Sequence, residues 1–198
     1  MQRMKITKPS QNIVKKYLEK WDSLKNYVLQ ESSLRKLFTE TYPENTKMDD
    51  VLIKVCSLND FYSTYIFSPF KVAEHIVSLK IDKRLKQNDL TLVNSIANIK
   101  IKGKKRINFY SFATKYCSHH KPEIYPIYDY YVERIISHFK KTEGFCKFIK
   151  KDFKDYQKYR NILINFQIYF GLTRYTLKEI DKYLWQVGKE KKEDLKKY

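Results

Sequence analysis

The chain has 198 residues and 42% hydrophobic content, which is enough for one domain to bury its own core. Its 40 Lys+Arg and 22 Asp+Glu leave a formal net charge of +18, which predicts a polyanionic partner such as nucleic acid, with a lysine-biased genome as the alternative. The 3 cysteines lack paired spacing and no stretch is long and apolar enough for a membrane helix, so we expect no metal, no cofactor and a cytoplasmic protein without a membrane partner.

The first half of the sequence predicts helices, because apolar residues recur every three or four positions. Ser10 is predicted to cap a first helix, and a second helix runs until Pro43. A capping box at Thr46 predicts a third helix that ends near residues 57–60. Ser68-Pro69 indicates the start of a fourth helix, whose apolar side chains are expected to be buried.

The second half is predicted to be helical as well. A short helix is expected at Leu90–Ala97, a basic connector at Ile99–Arg106, and a further helix from about Ile107. After a turn rich in proline, another helix is expected to close at Gly144, and the last one to start near Thr176. We therefore predict an all-α fold.

The domain organisation predicted from this pattern is a single helical domain over residues 1–198. Within it we expect a two-lobed helical bundle. Residues of about 48–140 would form the central lobe, and residues 1–47 plus 141–198 would supply the terminal helices. A monomer is expected.

The connector Ile99–Arg106 carries the densest positive charge between two predicted helices. A tight connector presents backbone N–H groups to phosphates, and the lysines around it add charge along the same path. A second basic stretch runs from Lys150 to Arg160. The candidate DNA-binding residues of the connector are Lys100, Lys102, Gly103, Lys104, Lys105 and Arg106.

Asp129 follows a proline turn and opens a predicted helix. A carboxylate in that position can be kept ionised by nearby N–H donors, so that it stabilises positive charge or activates water. The alternative is an ordinary N-cap. Both interpretations remain open from spacing alone.

The motif Pro126-Ile127-Tyr128-Asp129 resembles the Pro-apolar-apolar-Asp motif of the helix-hairpin-helix DNA glycosylase superfamily, in the form found in mismatch-adenine glycosylases. This resemblance implies a DNA glycosylase-like fold with a helix-hairpin-helix element, and Asp129 as the catalytic aspartate. The family hairpin carries Gly-apolar-Gly, whereas the aligned Ile107-Asn108-Phe109 has no glycine.

The lyase lysine of bifunctional members would fall at Ser111 or Tyr110, where this chain has no lysine. Ser111-Phe112-Ala113 instead resembles the Ser-Thr-Ala of the monofunctional enzymes, which makes Ser111 a second candidate catalytic residue and water the nucleophile. Lys104, Lys105 and Lys115 would be nucleophiles only in a different hairpin register.

A second resemblance lies upstream, where Val55-Cys56-Ser57-Leu58-Asn59-Asp60 is similar to the Ile-Cys-Ser-Ser-Asn-Asn stretch of 8-oxoguanine glycosylases. It implies that Asn59 fills the gap that a flipped base leaves in the duplex. The alternative is that Asn59 caps the end of its helix.

Base flipping also requires a pocket of aromatic side chains, and aromatic residues make up 16% of the chain. For each aromatic residue, packing in the core is the alternative. His119-His120 is predicted to face solvent or phosphate, since adjacent helical positions point in different directions. The candidates for the base pocket are Phe61, Tyr62, Tyr110, Tyr128 and Trp185.

Together these patterns predict a DNA glycosylase that flips a damaged or modified base out of duplex DNA and hydrolyses its N-glycosidic bond. The alternative is a non-catalytic basic helical module that binds DNA, with a role in antiviral defence as one version of it. An RNA-binding protein is a third hypothesis.

Overall fold

The computed structural model describes residues 6–100 and 107–192, and nearly all regular structure in these ranges is helical. The predicted all-α class is therefore confirmed. A ladder joins β1 (Asn98–Ile99) to β2 (Ile107–Asn108), a π-helical turn covers Leu37–Thr41, and a 3₁₀ turn covers Lys150–Lys154. The helices are α1 (Gln11–Ser23), α2 (Lys25–Lys36), α3 (Met48–Tyr62), α4 (Pro69–Ser78), α5 (Ile81–Lys86), α6 (Leu92–Ala97), α7 (Tyr110–His120), α8 (Tyr130–Glu143), α9 (Tyr156–Tyr169) and α10 (Leu177–Glu190).

Several helix ends lie where the sequence predicts them. Ser10 caps α1 through its side chain, and Ser68 is the N-cap of α4, although its side chain makes no capping hydrogen bond. Thr176 forms a capping box with Glu179 at the start of α10. Gly144 ends α8 with a φ of 65°, a conformation that glycine adopts without a steric penalty.

Other predicted features of the first half are wrong. The N-cap of α3 is Lys47 and not Thr46, and α3 continues past residue 60 to Tyr62. Phe70 is exposed because it lies two helical positions before the buried Val72 and so points away from the core. The sequence did not predict α5, since six residues give too little periodicity to be recognised.

Helix α7 lies at the centre of the described structure and packs against α2, α3 and α6. It begins at Tyr110 and not near Ile107, because Ile107 and Asn108 pair with β1 in an antiparallel ladder. Almost the whole helix is buried, including the polar side chains of Lys115 and His119. Its polar groups must therefore find hydrogen-bond partners inside the protein.

The expectation that His119 and His120 face solvent or phosphate is wrong. His119 Nε2 lies 3.1 Å from the hydroxyl of Tyr62, and His120 Nε2 lies 3.2 Å from Asn45 Oδ1. Burial lowers the pKa of each histidine to about 3. Both rings are consequently neutral at physiological pH.

A buried polar network, here called the Lys54 cluster, fixes the segment before α3. Lys54 is fully buried, and its Nζ donates to the carbonyls of Tyr42 (3.0 Å) and Glu44 (2.8 Å) and to Asn45 Oδ1 (2.7 Å). Asn45 in turn donates to both carboxylate oxygens of Asp82, at 2.9 and 2.6 Å. Burial lowers the pKa of Lys54 to about 8.

The first and last described helices pack together, and α10 also packs along α8. Gln186 Nε2 donates to the carbonyl of Tyr17 at 2.8 Å, and the Tyr17 hydroxyl donates to Glu190 at 2.7 Å. At the crossing of α8 and α10, a Cβ on Gly188 would lie 2.5 Å from Tyr131 Cβ. Only glycine permits this approach. The predicted division into two lobes stays a prediction.

Candidate functional site

A cavity of about 330 Å³ opens where α2, the end of α3, α7, the start of α8 and α10 meet. Ligand-binding clefts generally hold roughly 300–1,000 Å³ and combine apolar walls with a few polar groups. This cavity has that composition: aromatic rings form one wall, and the carboxylates of Asp129 and Asp181 face it together with the Lys115 amine.

The aromatic wall combines residues that are far apart in the sequence. Trp21 lies in the last turn of α1, Tyr27 lies on α2, and Trp185 lies on α10. The ring centroid of Trp185 is 5.8 Å from that of Trp21 and 5.2 Å from that of Tyr27, both in edge-to-face geometry. A planar ligand can pack against the face or the edge of a ring in such a wall.

Four residues of α10 face the cavity because they are spaced at three and four positions: Lys178, Asp181, Lys182 and Trp185. The two lysines pair with Glu31 on α2, at 3.3 and 2.7 Å. Burial alone would raise the pKa of Glu31, but the two lysines outweigh it and hold that pKa below its ordinary value. The lysine charges are thus directed at Glu31, which leaves Asp181 without an ion pair in the described structure.

Asp129 is the N-cap of α8, and it also lines the cavity. Its Oδ1 accepts the N–H of Tyr131 at 2.8 Å. The capping role is therefore present, and it fixes the carboxylate where it borders the cavity. The turn before it is fixed by α9, since Tyr156 and Tyr159 donate hydroxyl hydrogen bonds to the carbonyls of Pro126 (2.8 Å) and Ile127 (2.5 Å).

Lys115 reaches the cavity from α7, although it is only 3% exposed. Its Nζ donates to Ser111 Oγ at 2.6 Å and, at 3.4 Å, to the carbonyl of Tyr128. Burial lowers the pKa of Lys115 below its ordinary value, while Asp129 and Asp181 oppose that shift. The sequence placed Ser111 at the reacting centre, but in the structure Ser111 does not line the cavity and instead holds Lys115.

The motif alignment with Asp129 identified Ser111 as a candidate. Lys115 follows Ser111 by one turn of α7. A lysine four residues after Ser111 on a helix shares its face, so this spacing was a signal that could have found it. No sequence motif marks Asp181. Its only sequence signal was a carboxylate on the apolar face of α10, three and four positions from Lys178 and Trp185.

The predicted base-pocket residues divide into two groups. Phe61, Tyr62 and Trp185 line the cavity. Tyr110 and Tyr128 do not, because they pack against each other in the core with ring centroids 5.1 Å apart. For these two residues the core alternative is the correct one.

Asn59 does not point outward as a gap-filling residue would. Its Oδ1 accepts hydrogen bonds from Thr64 Oγ1 (2.8 Å) and from the N–H of Ile66 (2.9 Å), and its Nδ2 donates to the Ile66 carbonyl. It therefore shapes the loop after α3. The large apolar side chains that this loop exposes are Tyr65 and Phe67, at 75% and 90%.

Of the basic connector, the structure describes only Ile99 and Lys100. Asn98 pairs with Asn108 and Ile99 with Ile107, so the chain between α6 and α7 reverses through an antiparallel ladder. Lys100 is exposed. The other candidates, Lys102, Gly103, Lys104, Lys105 and Arg106, lie outside the described residues.

The second basic stretch is not one continuous helical face. Lys150, Lys151 and Lys154 lie in a 3₁₀ turn, and α9 starts after it. Lys154 Nζ lies 3.8 Å from the ring centre of Tyr128, and Arg160 donates to the carbonyl of Ile124 at 3.1 Å. Part of this charge is therefore used to stabilise the fold.

A family model described as the HI_0787_N N-terminal domain matches residues 13–124. The chain belongs to the HI_0787_N family. It is also 47% identical over 148 residues to an uncharacterized protein of Haemophilus influenzae, a match that covers 74% of this chain and 70% of that protein. No solved structure matches it.

The part of the chain that matches the HI_0787_N domain includes Trp21, Tyr62 and Lys115, and it ends before Asp129. The cavity thus combines walls from the matched domain with residues of α8 and α10 that follow it. Among the described helices, none is both long and apolar enough to cross a membrane.

Proposed function

We propose that the protein is a DNA glycosylase that takes a damaged or modified base out of duplex DNA into this cavity and hydrolyses its N-glycosidic bond. The observation that carries the proposal is the meeting of Asp129 and Lys115 in a cavity of about 330 Å³ with an aromatic wall. A flipped base requires stacking surfaces, and the leaving of that base requires a nearby carboxylate.

In this mechanism the base enters the cavity and stacks against the aromatic wall. The bond between C1′ of the sugar and the base nitrogen breaks, and its electron pair leaves with the base. The Asp129 carboxylate stabilises the positive charge that develops on the sugar and accepts a proton from the water that adds to C1′. The proton passes from Asp129 to the departing base, so that a neutral free base and an abasic site are the products and Asp129 is again a carboxylate.

Water is the nucleophile in this proposal, in keeping with the monofunctional enzyme predicted from the sequence. Lys115 lines the cavity together with Asp129, and its amine is buried and anchored to Ser111 Oγ. Borohydride should therefore trap no covalent adduct between protein and DNA. A trapped adduct that Lys115→Met abolishes would transfer the role of nucleophile to Lys115.

The experiment is incubation with duplexes that each contain one modified base, followed by detection of abasic sites. Asp129→Asn should lower the excision rate by about 10³-fold, because the amide neither carries the charge nor accepts the proton. Asp22→Asn, an exposed position on α1, is the matched control and should leave the rate unchanged. Excision from no duplex, or full activity of Asp129→Asn, would contradict the proposal.

The net charge and the exposed aromatic loop also favour a second candidate function, a non-catalytic module that binds duplex DNA through phosphates. It predicts affinity that falls steeply with salt, no abasic product, and no effect of Asp129→Asn. Comparing duplex DNA, single-stranded DNA and RNA at one salt concentration separates both candidates from an RNA-binding protein. For both candidate functions we propose that the protein acts in the cytoplasm as a monomer.

A further inference from the structure

Asp181 is an unusual carboxylate in this structure because it is buried without a partner. It is 8% exposed, it lines the cavity, and its Oδ1 has no hydrogen-bond partner among the described residues. Buried polar atoms are hydrogen-bonded in the great majority of cases, so a carboxylate beside a cavity with an unpaired oxygen is a group that a bound hydrogen-bond donor would stabilise.

The groups around Asp181 do not supply that partner. Lys178 and Lys182 are paired with Glu31, Lys115 donates to Ser111, and Asp129 caps α8. Two positive and two negative groups influence it electrostatically, namely Lys178 and Lys115 against Asp129 and Glu31. Burial is the largest effect, and it raises the pKa of Asp181 to about 7.

The position of Asp181 relative to the aromatic wall indicates what it would contact. Asp181 and Trp185 are four residues apart on α10, so their side chains are neighbours on one face of the helix. A planar ring that stacks on the aromatic wall would therefore present an edge to Asp181. The faces of the ring are then held by aromatic contacts, and the edge by a hydrogen bond.

We propose that Asp181 reads the edge of the flipped base, and that this edge is of the guanine type, with a ring N–H beside an amino group. This inference rests on the proposed function and names the class of base. An ionised carboxylate only accepts hydrogen bonds, so it matches adjacent N–H donors. Thymine and uracil flank their ring N–H with two carbonyls, and adenine places an acceptor beside its amino group, so each would put an oxygen or nitrogen lone pair against the ionised carboxylate, the form that predominates above pH 7.

The chain contains its own probes for a test, because both of its 2 tryptophans, Trp21 and Trp185, line the cavity. Their two indole N–H signals in a two-dimensional NMR spectrum should shift when 2′-deoxyguanosine is titrated into the whole protein. The 1-methyl derivative lacks the ring N–H and should bind at least fivefold more weakly. Affinity should rise about tenfold between pH 6 and pH 8, because the competent ionised fraction of Asp181 rises by that factor.

Asp181→Asn is nearly the same size and cannot ionise, so its affinity for 2′-deoxyguanosine should not change with pH. Asp22→Asn should keep the wild-type pH profile. Thermal unfolding and the dispersion of the NMR spectrum verify that each variant is folded. Asp181→Leu, a second variant without an acceptor, should lose the binding altogether.

Three results would overturn the inference: no shift of either indole signal at millimolar 2′-deoxyguanosine, equal binding of the 1-methyl derivative, or the same pH profile in wild type and Asp181→Asn. These outcomes do not depend on bond cleavage. A protein that binds 2′-deoxyguanosine as expected but produces no abasic site would contradict the proposed glycosylase and leave the recognition by Asp181 standing. Excision confined to bases without a guanine-type edge would contradict the recognition by Asp181 and leave the proposed glycosylase standing.

Discussion

Two buried lysines, Lys54 and Lys115, show how the same side chain can serve the fold in one region and the cavity in another. Lys54 Nζ donates to three acceptors within 3.0 Å and does not line the cavity. Lys115 Nζ donates to Ser111 Oγ and, at a longer distance, to a carbonyl, and it borders the cavity. A saturated network stabilises a fixed structure, whereas an incomplete one leaves polar groups for a ligand.

The first way to test this comparison is to remove each lysine in turn. Lys54→Met should lower the free energy of unfolding by about 3 kcal/mol, since it removes three hydrogen bonds of a fully buried side chain and leaves the buried Asn45 Oδ1 without this donor. Lys115→Met should change it by less than about 1 kcal/mol, because Lys115 Nζ makes one short hydrogen bond and one long one where Lys54 Nζ makes three. Chemical denaturation measures both, and equal effects would remove the distinction between the regions.

The adjacent histidines sharpen the comparison, since His120 joins the Lys54 cluster while His119 bonds Tyr62 at the cavity. Each has a pKa of about 3 in the folded protein, below its ordinary value of 6.5. The unfolded chain therefore takes up protons that the folded state does not. Their contribution to stability is complete above about pH 6.5 and is lost as the pH falls toward 3.

Between pH 6.5 and 4.5 each histidine should account for a loss of about 2 kcal/mol. Asp181 acts in the opposite direction, because its pKa is raised to about 7 and the folded state gains a proton as the pH falls. His120→Gln should therefore reduce the acid-dependent loss by about 2 kcal/mol relative to wild type, measured by denaturation at both pH values. If the free energies of unfolding of the two proteins fell in parallel with pH, His120 would take up its proton as readily in the folded state as in the unfolded chain.

Gly188 tests whether the cavity depends on the close crossing of α8 and α10. In Gly188→Ala the new methyl group would lie 2.5 Å from Tyr131 Cβ, so the helices must separate. We expect a loss of about 1–2 kcal/mol in the free energy of unfolding and weaker ligand binding, because Tyr131 lines the cavity. Lys16→Ala, exposed on α1, is the control. Unchanged stability of Gly188→Ala would mean that this crossing is looser than described.

The loop that Asn59 shapes should affect binding without affecting stability. Phe67 is 90% exposed, so Phe67→Ala should change the free energy of unfolding by less than about 0.5 kcal/mol. If this side chain contacts DNA, the affinity for a duplex should fall about three- to tenfold in a fluorescence anisotropy titration. Ile168→Ala, an exposed apolar position on α9, should leave affinity unchanged. Equal affinities for wild type and Phe67→Ala would exclude the loop from the interface.

The helices were predictable because the signals that define them are local. The caps at Ser10 and Thr176 and the αL glycine Gly144 act through neighbouring backbone groups, and each is found where the sequence places it. The capping box at Thr46 failed, since Lys47 and not Thr46 is the N-cap of α3, and the segment before it is held from elsewhere, through the bonds of Asn45 to Asp82. A distant partner overrides a local motif.

The candidate site was predictable only in part. Asp129 could be predicted from the proline turn before it. Phe61, Tyr62 and Trp185 could be predicted as candidates because they are aromatic, and all four residues line the cavity. Nothing in the spacing could show that Lys115 and Asp181 converge, because α7 and α10 meet only through tertiary packing. The positions predicted for Tyr110 and Tyr128 in a base pocket were wrong for the same reason, since only the fold decides whether a side chain packs inward or lines a cavity.

The pairing of α1 with α10 has a consequence for the order in which the protein assembles. Trp21 is synthesised long before Trp185, yet the two rings form one wall of the cavity. A nascent chain that has not yet released α10 from the ribosome lacks that wall and the Asp181 carboxylate as well. Since contacts between segments so distant in sequence form late and slowly, the cavity should be among the last parts of the molecule to become competent.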